Sequence, residues 1–342
     1  MRRSLGWLVL AALVTTGLGA CDNSKDEDLI VLLVPGQDAD NARWLAEDRP
    51  AFEAALRTAC ATCVVEIHEA GGSATTQRAQ FARAVKDEAD VVVLAAVTSE
   101  AGEAMVAAAG ETPVIAYDRF VAGADYFVSV DYAQVGTLQA QGLLDAAGPK
   151  PSVLVLNGAA TDPNAAAVKL AARTVLDAGG ARVLAEVDPV DTQAGTAQAW
   201  TAEQLEAGKG RPPDAVYAAT DAQAAGVVQA LTGPKRATLP VITGGGADLA
   251  ALQRIVTGRQ SMTVYASIPR QAEESARIAV DLVLGAEVSG TKPYEGVASV
   301  IFEPVGVTLE NLTDTVVRDG GVTISELCSG DVLDACVRLG IA

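Results

Sequence analysis

Histidine is nearly absent from this chain: there is one in 342 residues, His68. It lies in or just after the strand-like run VVEI rather than beside a serine placed as a nucleophile, which argues against a His-dependent catalytic triad. The GxGxxG turn of a dinucleotide-binding fold is missing too, because the first strand runs into VPGQDADNA. GGGAD (244–248) lacks that spacing and a lysine, and reads as a tight strand-to-helix turn rather than a phosphate loop. Positive charge is scarce: 25 Lys and Arg against 43 Asp and Glu, a formal net charge of −18 with no basic cluster, excludes a nucleic-acid partner. Aromatic residues make up only 4% while half the chain is hydrophobic, and the abundant Ala suits many helices packed on sheets.

No apolar run is of comfortable membrane-spanning length. The longest, Leu5 to about Leu18 behind Arg2 and Arg3, has the layout of a signal peptide. It ends in LGAC (18–21), which resembles the lipobox of bacterial lipoproteins and implies acylation of Cys21. DNSKDED then forms an acidic tether to residue 28, and acyl chains would supply the membrane attachment at about 0.8 kcal/mol per buried methylene. Four further cysteines form two local groups, Cys60 with Cys63 and Cys328 with Cys336, in an exported chain where disulfides persist. Three connectivities are open, and local pairing is favoured because each pair would staple one loop or helix end. A redox CxxC is disfavoured by its place after a helical pattern, and a zinc site by the spacing of the second pair; no metal or cofactor is expected.

Short β-branched runs alternate with Ala-rich amphipathic stretches. Strands are expected at 29–34, 64–67, 91–95, 114–117, 126–130, 152–157, 182–187, 215–219, 240–243, 262–266 and 298–302. Helices are expected at 41–59, 74–88, 99–109, 133–147, 164–178, 195–207, 222–232, 247–257 and 269–285. Near-continuously apolar strands belong to parallel sheets covered on both faces, so the fold class is α/β with right-handed crossovers. This many strands, irregularly spaced, fit two doubly wound Rossmann-like lobes. The helix missing between 114–117 and 126–130 places a crossover near Ser129 to Asp131. In such sheets ligands bind beyond the carboxyl ends of the strands. Asp118, Arg119, Asn157, Thr220, Asp221 and Gly244 all follow strand ends.

VIAYDRF, DYAQVGTLQAQGLLD, ATDAQAAGVVQAL, ADLAALQRIVTGRQSMTVY and NLTDTVVRDG occur in that order between about Leu29 and Leu327. Together they resemble the D-xylose-binding and multiple-sugar-binding proteins, type 1 periplasmic binding proteins that serve ABC importers and some chemoreceptors. CATCVVEIHEAGGSATTQRAQFARAV and CSGDVLDACVRLGI look like an actinobacterial-type lipoprotein variant. The resemblance implies two lobes joined by three crossing segments. The first lobe would hold 29–130 plus about 267–297 and the second 131–266 plus about 298–320, with 1–20 a signal peptide and 321–342 a disulfide-bearing tail. It further implies a small polar ligand, a monosaccharide, held between the lobes of a monomeric receptor that hands it to an ABC permease.

Carried over by motif, the ligand-contacting positions are Arg43 and Trp44, Asp118 and Arg119, Asp162 and Asn164, and Thr220 followed by Asp221. Three positions depart from the family pattern: Gln193 replaces a cleft Trp, Gly246 an Asp and Ala266 a Lys, which points to a ligand other than xylose or to a site that has lost sugar binding. The residue types suit the task, since an ionised carboxylate accepts several hydroxyl hydrogen bonds and a guanidinium donates several in a fixed plane. An aromatic face, with Trp44 first and Tyr117 second, covers the apolar face of a sugar ring. Plainer roles stay open. Asp162 before Pro163 is a good helix N-cap, Asn164 a first-turn residue and Asp221 a helix start, while Trp44 shares its neighbourhood with Leu45 and Phe52 and suits a core. A sensor that presents its ligand to a membrane kinase, a receptor for a non-sugar ligand and an enzyme on the same fold are the alternatives. A LacI-type regulator would need a helix-turn-helix where the signal peptide stands.

Overall fold

The computed structural model describes residues 27–36, 43–208, 211–232 and 238–342. The signal segment, Cys21 and most of the tether lie outside the described residues.

The strands are β1 (Asp28–Val34), β2 (Cys63–Glu69), β3 (Val91–Leu94), β4 (Val114–Tyr117), β5 (Tyr126–Val130), β6 (Ser152–Leu156), β7 (Arg182–Val187), β8 (Ala215–Ala218), β9 (Val241–Ile242), β10 (Thr263–Tyr265), β11 (Lys292–Tyr294), β12 (Val297–Phe302) and β13 (Val305–Val307). The helices are α1 (Arg49–Ala59), α2 (Ala74–Lys86), α3 (Ser99–Ala107), α4 (Tyr132–Ala147), α5 (Pro163–Ala178), α6 (Ala194–Ala207), α7 (Asp221–Leu231), α8 (Leu249–Val256), α9 (Ile268–Val283), α10 (Ile324–Leu327) and α11 (Leu333–Leu339).

The first lobe is built on a seven-stranded sheet of order β11-β12-β5-β4-β3-β1-β2, parallel except for the β11–β12 hairpin. Its apolar strands follow from cover on both faces. Ile30, Leu32 and Val34 point into a core with α1 and α9, and Val31 and Leu33 into a second core with α2 and α3. The second lobe repeats this on a four-stranded parallel sheet, β7-β6-β8-β9. Val153 and Val155 pack under α4 and α5, and Leu154 and Leu156 under α6 and α7. A smaller core joins α8, the antiparallel pair β10–β13 and the C-terminal segment through Leu312, Val316, Leu327 and Cys336. Cys60 is bonded to Cys63, and Cys328 to Cys336.

The chain passes between lobes at Asp131, at Ala266–Ser267 and at Glu303–Pro304. The last differs from the expected boundary. Residues 298–302 form β12, which pairs with β5 inside the first lobe's sheet, so the crossing follows this strand instead of preceding it. Ladder partners are non-local, and an apolar strand pattern does not say which sheet completes it. The expected helix over 41–59 is also divided. Trp44–Asp48 is a π turn and α1 begins at Arg49, while 41–42 lie outside the described residues.

Candidate ligand site between the lobes

β4 ends on a sharp reversal. Asp118 has φ 64°, its N–H still donates to the Val128 carbonyl at 2.8 Å, and the next N–H, of Arg119, returns to the Tyr117 carbonyl at 2.6 Å. A three-residue turn with positive φ is the rare, strained γ kind, and Asp is among the few residues that tolerate that region. The turn lifts Asp118 and Arg119 off the sheet at its carboxyl edge, where the three crossings bring the second lobe close.

The Asp118 carboxylate is buried, at 3% exposure, and collects donors from both lobes. From the first lobe, Arg43 Nη2 donates to Oδ1 at 2.8 Å. From the start of α4, the Tyr132 hydroxyl donates to the same oxygen at 2.6 Å. From the start of α5, Asn164 Nδ2 donates to Oδ2 at 3.2 Å and to the backbone carbonyl at 3.3 Å. Burial alone would raise this carboxyl; the charge of Arg43, the Tyr132 hydroxyl and the charge of Arg119 outweigh it and hold the group below the ordinary aspartate range. Arg43 is raised in turn, its burial outweighed by Asp118 and Asp48.

Arg119 Nη1 donates to the Ala96 carbonyl at 3.0 Å, and Nη2 reaches Asp162 Oδ1 across the lobes at 3.7 Å. Its buried Nε has no acceptor among the described residues. Asp162 caps α5 by accepting from the Asn164 N–H at 3.1 Å, so capping and a cleft position coexist. Burial, reinforced by Asp118, raises the Asp162 carboxyl despite Arg119.

The structure thus brings Arg43, Asp118, Arg119, Asp162 and Asn164 together and adds Tyr132, which the sequence reading did not single out and left just ahead of the helix expected from 133. Its signal was the N-cap: Asp131 accepts from the Gln134 N–H, so α4 starts at Tyr132 on the crossing itself. Trp44, Tyr117 and Asp221 are placed differently from expectation, and Thr220 takes a capping role. Trp44 is 2% exposed and packs edge-on against Tyr117, with ring centroids 6.1 Å apart, so both rings belong to the core of the first lobe instead of a sugar platform. Thr220 caps α7 in a capping box with Gln223. Asp221 faces the interior of its own lobe. Gln260 and Thr263 donate to Oδ1 at 2.8 and 2.9 Å, Thr263 also lies 2.9 Å from Oδ2, and the Asp248 N–H donates to Oδ2 at 3.1 Å. Burial first, and the Asp248 carboxylate next, push Asp221 up to about 6. It is a hub that ties α7, α8 and β10 together.

Of the departing positions, Gln193 is exposed at the start of α6 and Ala266 is half-buried at the second crossing. Gly246 is exposed in the turn into α8 at φ 122°, a conformation L-residues rarely adopt, so the turn is built for glycine and an aspartate there would need a different backbone.

Residues 30–287 match the model of the periplasmic binding protein domain. The chain belongs to the periplasmic binding protein family. A D-xylose-binding periplasmic protein of Haemophilus influenzae is 31% identical over 75% of this chain and 80% of its own length. Its counterpart in Escherichia coli is 32% identical over 77% and 83%. Among solved structures, an ABC transporter solute-binding protein from Clostridium phytofermentans with bound β-D-glucose superposes with a TM-score of 0.74 at 24% identity. It covers 88% of this chain and 100% of that one, which shows a shared fold. The two lobes and three crossings are therefore those of the type 1 periplasmic binding proteins. Proteins of this family bind solutes outside the cytoplasm.

Proposed function

We propose that this protein is the sugar receptor of an ABC importer, held at the membrane through an acylated Cys21, and that its ligand is a neutral monosaccharide gripped between the lobes by Asp118 and Arg119. One observation carries the reading: between the lobes, a single buried carboxylate gathers donors from both sides, beside a guanidinium that also spans them. Such a corner closes the lobes by offering better contacts in the closed state than in the open one, with no chemistry done on the guest.

The same groups speak for neutrality. Arg43 is paired to Asp48 and Asp118, and Arg119 to Asp162, so the charge of each cation is already balanced by carboxylates and their remaining N–H groups suit a neutral hydroxyl. Asp162 and Glu47 have raised carboxyls, Glu47 through desolvation with Asp48 and Asp248 adding repulsion, and more negative charge would be resisted. Among the described residues the buried Arg119 Nε–H lacks an acceptor, which a ligand hydroxyl oxygen would supply.

Calorimetric titration tests this with D-xylose, D-glucose and myo-inositol set against D-gluconate and glucose 6-phosphate. Saturable heat from at least one neutral compound and none from the anions is expected. Silence from every neutral compound, or tighter binding of an anion, contradicts the reading.

A further inference from the structure

Asp48 is fully buried, at 0% exposure, and among the described residues its side chain bonds only to Arg43 and Tyr117. Desolvation raises its carboxyl even with Arg43 alongside. Stability alone gives little reason for such a group, since replacing a buried ion pair by well-packed apolar residues is often neutral or stabilising. Its two partners explain it better. Tyr117 directly precedes Asp118, and Arg43 donates to Asp118.

The backbone is bent to make this contact. Arg43 and Asp48 are five residues apart, and on a helix of 3.6 residues per turn they would face different sides. Across Trp44–Asp48 the chain adopts the wider π ladder, with the Arg49 N–H bonded to the Trp44 carbonyl, and the two side chains meet. Arg43 Nε and Nη2 then lie 3.0 and 3.3 Å from the two oxygens of Asp48. That bidentate grip fixes the guanidinium plane. It aims Nη2 at Asp118, and Nη1 has no partner among the described residues.

We propose that Asp48 is the positioning residue of the site: through the π turn it locks Arg43 in the orientation that holds Nη2 on Asp118 and presents Nη1 to a ligand beside it. This rests on the proposed function for the ligand, but the lock itself stands apart from it.

The test uses the full mature chain as wild type, Asp48→Asn, Arg43→Met and the double variant, titrated with D-xylose and D-glucose. Asp48→Asn alone is expected to weaken the sugar that binds by about tenfold, and to add less than about twofold in the Arg43→Met background, because the two act as one unit. Equal losses in both backgrounds would make Asp48 a general stability residue and overturn the proposal. A second readout needs no ligand. In ¹⁵N NMR the Arg43 Nε–H is expected to exchange slowly with water in the wild type and to lose that protection in Asp48→Asn. If neither sugar binds the wild type, the functional reading fails on its own, and the NMR comparison still decides the lock. Protection unchanged by Asp48→Asn overturns it.

Discussion

Asp118→Asn is expected to lower sugar affinity at least about 100-fold. Asparagine is the informative replacement because, like aspartate, it tolerates the φ of 64° at this position, where alanine would add backbone strain to the lost charge. The amide keeps one acceptor oxygen in place of two, and its NH₂ must face either the Arg43–Tyr132 side or the Asn164 side, all of which donate. Hydrogen bonds to charged groups contribute about 1.5–3 kcal/mol each, so losing two accounts for a factor of 100 or more. Stability should fall as well, because breaking a buried charge network costs about 3–5 kcal/mol and Arg43 keeps only Asp48. At about 2–4 °C per kcal/mol for a lobe of this size, a Tm lower by roughly 6–20 °C is expected. Titration below the melting range separates the two effects, and binding within threefold of wild type would contradict the site.

Gly136→Ala should be nearly as damaging, from a position that gives no hydrogen bond to Asp118. Gly136 lies where α4 crosses α5, and a Cβ there would stand 2.1 Å from the Val168 carbonyl oxygen. That neighbour is helix backbone and cannot swing aside. The helices must part, at a cost toward the upper end of the 1–3 kcal/mol typical of overpacking, or a Tm lower by about 5–10 °C. The contact is one turn into each helix from the residues that reach Asp118, Tyr132 on α4 and Asn164 on α5. Parting the helices moves those donors off their shared acceptor, so sugar affinity should fall with stability. Gly142→Ala is the control on α4, since its Cβ would meet the flexible end of Met262 at 3.0 Å. Its Tm should stay within a few degrees of wild type. A Gly136→Ala protein that melts like wild type would show that the close approach of the two helices is not what holds these donors.

These two positions also mark how far the sequence alone could be read. Repeating apolar runs such as 30–34 made the covered parallel sheets legible, because cover on both faces leaves its mark residue by residue. The first crossing was legible because a helix is missing between β4 and β5. An acid beside a base at a strand end, Asp118 and Arg119, stood out because a core strand gains nothing from two charges. What stayed hidden depends on partners distant in the chain or on backbone detail. Asp221 follows a strand end as Asp118 does, and only its donors Gln260 and Thr263, roughly 40 residues onward, turn it inward. Asp48 meets Arg43 only because the chain takes a π turn that no residue pattern announces. β12 reads as a strand but not as a member of the first sheet. β11, with Pro293 inside it and Gly296 just after, does not read as a strand at all.

The most direct test of the central claim is a crystal structure of the protein grown with whichever neutral sugar gives saturable heat. The account expects the sugar between the lobes, with its hydroxyl oxygens within about 3.2 Å of the Asp118 carboxylate and the Arg119 guanidinium. A sugar seated elsewhere, or an Asp118 turned away from the gap between the lobes, would contradict it.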